Sequence, residues 1–185
     1  MFNGLRRTGA QPGDLVAILG IGGLGHLAVQ FAAKMGFETV AIARGQDKKA
    51  LAASLGAHHY VDSTSQDVAE ELQALGGARA VLATVTQASA MNPAVGGLRA
   101  HGELVVAGAS PDSLGVTPGQ LIGGEKTVRG VAAGTASDIE ATMRFAALSG
   151  IRPMVEEASL DDAPAAFARM LSGRARFRMV LTTGA

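Results

Sequence analysis

Cysteine is missing altogether from the 185 residues. Its absence excludes disulfides and thiolate metal sites and fits a reducing cytosol. Aromatic side chains are scarce, with six phenylalanines, one tyrosine and no tryptophan. None of them interleaves with a basic run, as a stacking platform for single-stranded nucleic acid requires. Neither sign of charge dominates: 16 basic and 16 acidic residues cancel, so no bulk field draws the chain to nucleic acid or an acidic membrane. No apolar run approaches the ~20 residues of a membrane span. The N-terminal stretch MFNGLRRTGAQPGD lacks the apolar region of a signal peptide. The expectation is a soluble, cytoplasmic protein with neither nucleic acid nor a membrane as partner. What is present is 48% hydrophobic and 17% charged, enough for one domain with a substantial core.

Strand and helix signals alternate from residue 15 onward. Leu15–Leu19 is apolar throughout, as suits a parallel strand covered on both faces. Leu24, Leu27, Ala28, Phe31, Ala32 and Met35 then recur at helical spacing. Glu38–Ala43 is a second strand, followed by a helix to Leu55 with Asp47 as its expected N-cap. A third strand is expected at His58–Asp62, and a helix at Ser65–Leu75. A fourth strand (Ala80–Thr84), a small-residue helix (about Ser89–Leu98) and a fifth strand (Glu103–Gly108) follow. A sixth, Thr127–Gly134, lies beyond a loop rich in Gly, Pro and Ser. Ser137 and Glu140 then form an expected capping box for a helix through Ser149. This rhythm predicts an α/β fold, a doubly wound six-stranded parallel Rossmann sheet in the order 3-2-1-4-5-6. Residues 1–150 form this domain. Residues 151–185 read as a strand–helix–strand appendage with no evident place in the sheet.

The first strand-to-helix turn carries chemistry. Gly20, Gly22 and Gly25 form G-x-G-x-x-G, with Gly23 as a fourth glycine. Between a buried strand and a helix, with a second strand ending ~20 residues on, the pattern predicts a dinucleotide site. Gly20 permits the tight turn, Gly22 lets backbone approach a pyrophosphate, and Gly25 lets helix and strand pack closely. The amides and dipole at the helix start then attract the anion.

The end of the second strand selects the dinucleotide. An NAD site usually places an acid there for the ribose hydroxyls. Here stand Ala43 and Arg44, with Asp47 beyond the strand. A small residue followed by arginine leaves space and charge for a 2′-phosphate, with Lys48 as a second cation. NADP is therefore favoured over NAD, and the missing acid also counts against S-adenosylmethionine.

Four segments taken together, PGDLVAILGIGGLGHLAVQFAAKMG, ALAASLGAHHYVDS, GGLRAHGELVVAGAS and SLDDAPAAFARMLSGRARFRMVLT, resemble the C-terminal, cofactor-binding portion of zinc-dependent medium-chain alcohol dehydrogenases. The resemblance covers nearly the whole chain in order. It implies that the pyrophosphate lies over Gly22, Gly23 and Leu24, with Leu24 also near the nicotinamide. Ala43, Arg44 and Lys48 would face the adenosine ribose and its phosphate. Thr84, Val85 and Thr86 would border the adenosine and nicotinamide ribose, and Ala107, Gly108 and Ala109 would run beside the nicotinamide. The sixth strand, at Val128–Ala132, is a candidate homodimer edge. The activity implied for the full-length enzyme is hydride transfer between an alcohol and the nicotinamide. A stand-alone NADP(H)-binding module and the cofactor half of a zinc-independent quinone-type reductase are the alternatives.

The departures concern the metal. The family's GroES-like domain, which carries the cysteine and histidine zinc ligands, is expected to be absent from this chain. Of the four histidines, His26 sits at a helix start and His101 in a turn. His58 and His59 are strand neighbours facing opposite ways. All four read as structural or solvent-facing, so neither a metal site nor a catalytic residue is expected here. Asp161 and Asp162 read as helix-start caps, and Glu156 and Glu157 as strand neighbours pointing apart. Arg174, Arg176 and Arg178 read as one solvated strand face. In the family, the part matching Met154–Ala185 packs on the catalytic domain. Leu160, Phe167, Met170 and Leu171 are therefore expected to lack their usual partner. The segment should fold back on the core, pair with another chain or be mobile.

Overall fold

The computed structural model describes residues 1–184. A short helix, α1 (Phe2–Arg6), leads into the alternating part. There β1 (Leu15–Leu19), α2 (Gly25–Lys34), β2 (Glu38–Ala43), α3 (Lys49–Ser54), β3 (His59–Asp62), α4 (Val68–Ala74) and β4 (Ala78–Ala83) follow one another. Next come α5 (Ala88–Gly96), β5 (Leu98–Val106), α6 (Pro118–Ile122), β6 (Thr127–Gly130) and α7 (Ala136–Ser149). The chain closes with β7 (Val155–Ser159), α8 (Ala163–Leu171) and β8 (Arg178–Thr182).

Strands β1 to β6 form one parallel sheet in the order β3-β2-β1-β4-β5-β6, as the alternation predicts. Every residue of β1 is buried. Its side chains divide by parity: Val16 and Ile18 join the core on one face, Leu15, Ala17 and Leu19 the core on the other. Period-two alternation with both faces covered is why this strand reads as uniformly apolar. The order reverses between β1, whose chain returns to β2, and β4 on its other side. That topological switch point opens a crevice at the carboxyl ends of the strands. Among the described residues no helix is long and apolar enough to cross a membrane.

Several boundaries differ from expectation, each for a local reason. Asp47 does not cap α3, which starts at Lys49 without any side-chain cap. Helix α4 starts at Val68 and not Ser65, because the amides of Ser65 and Gln66 are held in a turn on the Asp62 carbonyl. Asp67 caps it, accepting from the amides of Ala69 and Glu70 at 2.8 and 3.0 Å. Strand β5 starts early, at Leu98, through an irregular register against β4. His101 there adopts a positive φ of 57°. Strand β6 ends at Gly130, although the Val131 amide still donates to the Val106 carbonyl at 2.9 Å. The regular part of the Val128–Ala132 edge is therefore its first half.

The capping box of α7 is Thr135 with Asp138, not Ser137 with Glu140. Charge moved it. Asp138 is buried and accepts from Arg6 at 2.6 Å and from Arg7 at 2.8 Å, tying α1 to α7. The Thr135 amide first, then the Thr135 hydroxyl and Arg7, hold the Asp138 carboxyl below its ordinary value of 3.8. A depressed carboxylate pKa stabilises the fold above the ordinary value and ceases to do so as pH falls through the depressed one. Asp138→Asn should therefore lower the melting temperature by several degrees at neutral pH. The gap from the unmodified chain should narrow as pH falls below 3.8 and close only once pH has passed through the depressed value, where both side chains are neutral. Circular dichroism melts across pH read this directly, and a gap independent of pH would contradict it.

The C-terminal elements form a second unit: β7 and β8 pair in parallel as a separate two-stranded sheet. Its root folds back on the Rossmann core, where Ile151 and Phe177 join the buried cluster around Phe31. Its outer apolar side is open, with Phe167 at 58% and Leu171 at 67% exposure, and Leu160 and Met170 also exposed. These exposed apolar side chains sit on a segment whose base is anchored. Asp161 and Asp162 do not cap α8; the Ser159 hydroxyl accepts from the Asp161 amide at the preceding turn instead.

Candidate functional site

The crevice at the switch point is a cleft of about 1120 Å³. Its floor is the loop from β1 to α2. The Gly20 amide donates to the Ile42 carbonyl at 2.8 Å, latching the loop to β2. Gly20 has a φ of +97°, and a Cβ there would lie 2.7 Å from Val85 Cγ1. At Gly25 a Cβ would lie 1.7 Å from the Gly20 carbonyl oxygen. Only glycine lets the first turn of α2 cross the end of β1 this closely. Gly22 is different in kind: a Cβ there meets nothing within 4 Å. No packing within the protein calls for glycine at that position, and the space above it is the cleft itself. No side chain caps α2. The positive end of a ten-residue helix is therefore left for a ligand.

Gly20, Gly22, Gly23, Leu24, Ala43, Arg44, Lys48, Thr84, Val85 and Thr86 all line the cleft. Gly25, Ala107, Gly108 and Ala109 do not line it. Gly108 serves close packing, since a Cβ on it would fall 1.9 Å from the Val85 carbonyl oxygen. The Ala107 and Gly108 amides both donate to the Ala83 carbonyl, at 2.9 and 3.2 Å. Thr84 lines the cleft, yet its hydroxyl donates to the Leu19 and Gly20 carbonyls at 3.1 and 3.0 Å. It buttresses the glycine loop from the side of β4.

The turn after β2 carries the charge. Arg44 is exposed and Lys48 half-buried. Burial first, then the positive charges of Arg176 and Arg44, push the Lys48 ammonium pKa down, while Asp47 opposes the shift. Asp47 stands at the rim of the cleft. The acid that shapes this turn is Asp62 at the end of β3, a residue sequence reasoning passed over. Its carboxylate accepts from the Gly45 amide at 2.7 Å and the Gln46 side chain at 3.2 Å. It also accepts from the Thr64 amide at 3.0 Å and the Thr64 hydroxyl at 2.7 Å. Led by the Thr64 hydroxyl and amide, these bonds hold the Asp62 carboxyl well below the usual carboxylate range. Tyr60 donates to the Gly45 carbonyl at 2.6 Å, so the peptides flanking Gly45 are gripped on both sides. The signal for Asp62 was the VDS stretch closing β3, but nothing in a linear reading shows that it reaches back 17 residues.

The far wall comes from the C-terminal unit, and here the reading of Arg174, Arg176 and Arg178 as one solvated strand face is corrected. Only Arg178 lies in β8. Arg176 and Arg178 line the cleft, and Arg178 Cδ lies 3.1 Å from where a Cβ on Gly23 would be. Glu156, beside them, is occupied by Arg169 at 2.5 Å and by the Arg176 amide at 2.7 Å. Four cationic side chains, Arg44, Lys48, Arg176 and Arg178, thus rim the cleft against the single carboxylate of Asp47. Such a cleft receives an extended, multiply charged anion.

His58, His59 and His101 make local contacts outside the cleft. His58 Nδ1 accepts from the Thr39 amide at 2.9 Å, and His59 pairs with Glu38 at 2.7 Å. His101 lies beside Glu125 at 3.2 Å. Among the described residues no three His, Cys, Asp or Glu side chains gather as a metal site.

A doubly wound sheet with a glycine cradle at its switch point puts the molecule in the class of Rossmann-fold proteins. The family model for zinc-binding dehydrogenases matches residues 23–147, more than half of the chain. The chain belongs to that family, as its cofactor-domain half. Alcohol dehydrogenase notN of Aspergillus sp. (strain MF297-2) is 42% identical over 182 residues, 98% of this chain and 53% of its own length. An alcohol dehydrogenase of Geobacillus stearothermophilus is 35% identical over 181 residues, 97% and 54% of the two. The crystal structure of the alcohol dehydrogenase from the archaeon Aeropyrum pernix superposes with a TM-score of 0.84 at 28% identity, covering 95% of this chain and 51% of that one. The chain spans about half the length of the curated relatives it matches.

Proposed function

We propose that this chain binds a nicotinamide dinucleotide, NADP(H) in preference to NAD(H), and serves as the cofactor half of an alcohol dehydrogenase. One observation carries the reading: at Gly22 the backbone lies open to a cationic cleft, although no neighbour demands a glycine there. That is the arrangement a pyrophosphate requires. The site residues proposed are Gly20, Gly22, Gly23, Leu24 and Gly25 for the cradle, and Ala43, Arg44 and Lys48 for the adenosine ribose. Thr84, Val85 and Thr86 flank the riboses, and Ala107, Gly108 and Ala109 stand toward the nicotinamide end. The bound nicotinamide would supply the hydride chemistry. The chain's own residues orient it, exclude water and fix its phosphates. An alcohol as the hydride partner is what the names of the relatives suggest, and the proposal leaves its pocket, the zinc ligands and the proton path to the rest of such an enzyme. Cytoplasmic location and pairing of two copies through the β6 edge are parts of the same proposal.

The preference for the phosphorylated ribose rests on Asp62. Beside Asp47 at the cleft rim, the other acid near this end, Asp62, has its oxygens engaged by Gly45, Gln46 and Thr64. It is not free to accept from a 2′-hydroxyl, whereas Arg44 stands unobstructed at the cleft rim. Fluorescence titration should show NADPH binding tighter than NADH. Arg44→Ala should weaken NADPH about tenfold, the scale of a charge-assisted phosphate contact, and leave NADH within about twofold. If NADH binds the unmodified chain more tightly, the assignment is wrong.

A further inference from the structure

His26 is the one histidine with no exposed surface, and both of its ring nitrogens are engaged. Nδ1 lies 2.8 Å from the Gly22 carbonyl oxygen, which can only accept, so Nδ1 carries the proton. Nε2 lies 3.0 Å from the Met154 amide, which can only donate, so Nε2 is unprotonated. The ring is therefore neutral in a single tautomer. It stacks on Phe177 with centroids 4.9 Å apart. The Met154 carbonyl in turn accepts from the amides of Phe177 and Arg178, both at 3.2 Å. A path runs from Gly22 through the His26 ring to the amide of Met154, and from the carbonyl of the same residue to the backbone of Arg178. One turn along α2, Gln30 reinforces it: its side chain donates to the Arg152 carbonyl at 3.0 Å and accepts from the Arg152 amide at 3.3 Å.

The geometry at the other end explains what the path is for. A trans peptide is planar, with its carbonyl and amide hydrogen pointing opposite ways. The Gly22 carbonyl is turned into the protein, onto His26 Nδ1 and the His26 amide at 3.0 Å. The Gly23 amide of the same peptide therefore points the opposite way from that carbonyl, and Gly23 itself lines the cleft.

We propose that His26 is a positioning residue that couples the phosphate cradle to the C-terminal unit. It aims the Gly23 amide at the pyrophosphate and fixes Arg178 opposite it, so that nucleotide binding and docking of the β7–β8 unit reinforce each other. The inference rests on the dinucleotide reading above. The charged group facing the ring is Arg178, and burial, helped by that charge, lowers the His26 pKa against the raising effect of the Gly22 bond. The neutral ring needed for both bonds is thus the one the surroundings favour.

Coupling is reciprocal by linkage, which makes it measurable from the far end. In the unmodified chain, saturating NADPH should slow amide hydrogen exchange at Met154, Phe177 and Arg178 at least tenfold. Nitrogen-15 spectra should show His26 protonated on Nδ1 alone, with and without nucleotide. His26→Asn can still reach back to the Gly22 carbonyl but not forward to Met154. It should abolish the slowing at residues 154, 177 and 178 while exchange across β1 and β4 stays unchanged. His26→Gln, long enough to accept from Met154, should restore part of it. The coupling is overturned if the unmodified chain binds NADPH with no change at Met154, or if His26→Asn shows the same slowing. Should the Asn variant not fold, the Met154 exchange and ring tautomer of the unmodified chain decide alone. Failure to bind either nucleotide would instead overturn the dinucleotide reading, and the coupling with it.

Discussion

Alanine at position 25 should unfold this protein more readily than any other single methyl in the glycine loop. The added Cβ would sit 1.7 Å from the Gly20 carbonyl oxygen, a distance at which the first turn of α2 must move away from β1. Both elements belong to the central core, with Val16, Ile18, Ala28 and Val29 fully buried, so the displacement cannot be absorbed at a surface. Overpacking a core costs about 1–3 kcal/mol. Here the obstacle is backbone, which cannot rotate aside, so the upper end of that range or more is expected. For a chain of this size that lowers the melting temperature by roughly 10 °C. Nucleotide binding should be lost in parallel, because the same shift tilts the helix start. A calorimetric melt within ~2 °C of the unmodified chain would show that the close crossing is dispensable.

Valine at position 22 should do the opposite to stability and as much to binding. A Cβ at Gly22 meets no protein atom within 4 Å, and the residue has no positive φ, so the melting temperature should stay within ~2 °C. Its side chain would nevertheless occupy the floor of the cleft, where the pyrophosphate is proposed to approach the backbone. NADPH and NADH should both weaken at least ~100-fold, since the block precedes any distinction between riboses. Fluorescence titration beside a thermal melt separates the two glycines: one variant loses the fold, the other only the ligand. Unchanged affinity in Gly22→Val would place the ligand elsewhere and remove the main support for the proposed function.

The sheet was legible because its signals are local. Five consecutive buried residues in β1, helical spacing after the glycines and a glycine past several helix ends need no tertiary information to be read. Caps were less legible, since they depend on competition. The box forms at Thr135 and Asp138, and that same Asp138 also accepts from Arg6 and Arg7, more than 130 residues away in sequence. Within the site, the cradle and Arg44 could be read from the strand–turn–helix context. Asp62, Arg176 and Arg178 could not, because each meets its target across long sequence separations. The alternation of arginine in RARFR even pointed the wrong way: period two implies a strand face, but β8 begins only at Arg178.

The cleft has a temporal asymmetry built into its walls. Its floor is complete once β4 has joined β1, near residue 83, yet the wall bearing Arg176 and Arg178 lies at the very end of the described chain. Domains assemble from the N-terminus as they leave the ribosome, at about 5–20 residues per second. For several seconds of every synthesis the glycine loop therefore exists with one side missing, and Gly22 has no ordered Arg178 across from it. The wall bearing Arg176 and Arg178 thus joins a glycine loop that was translated well before it.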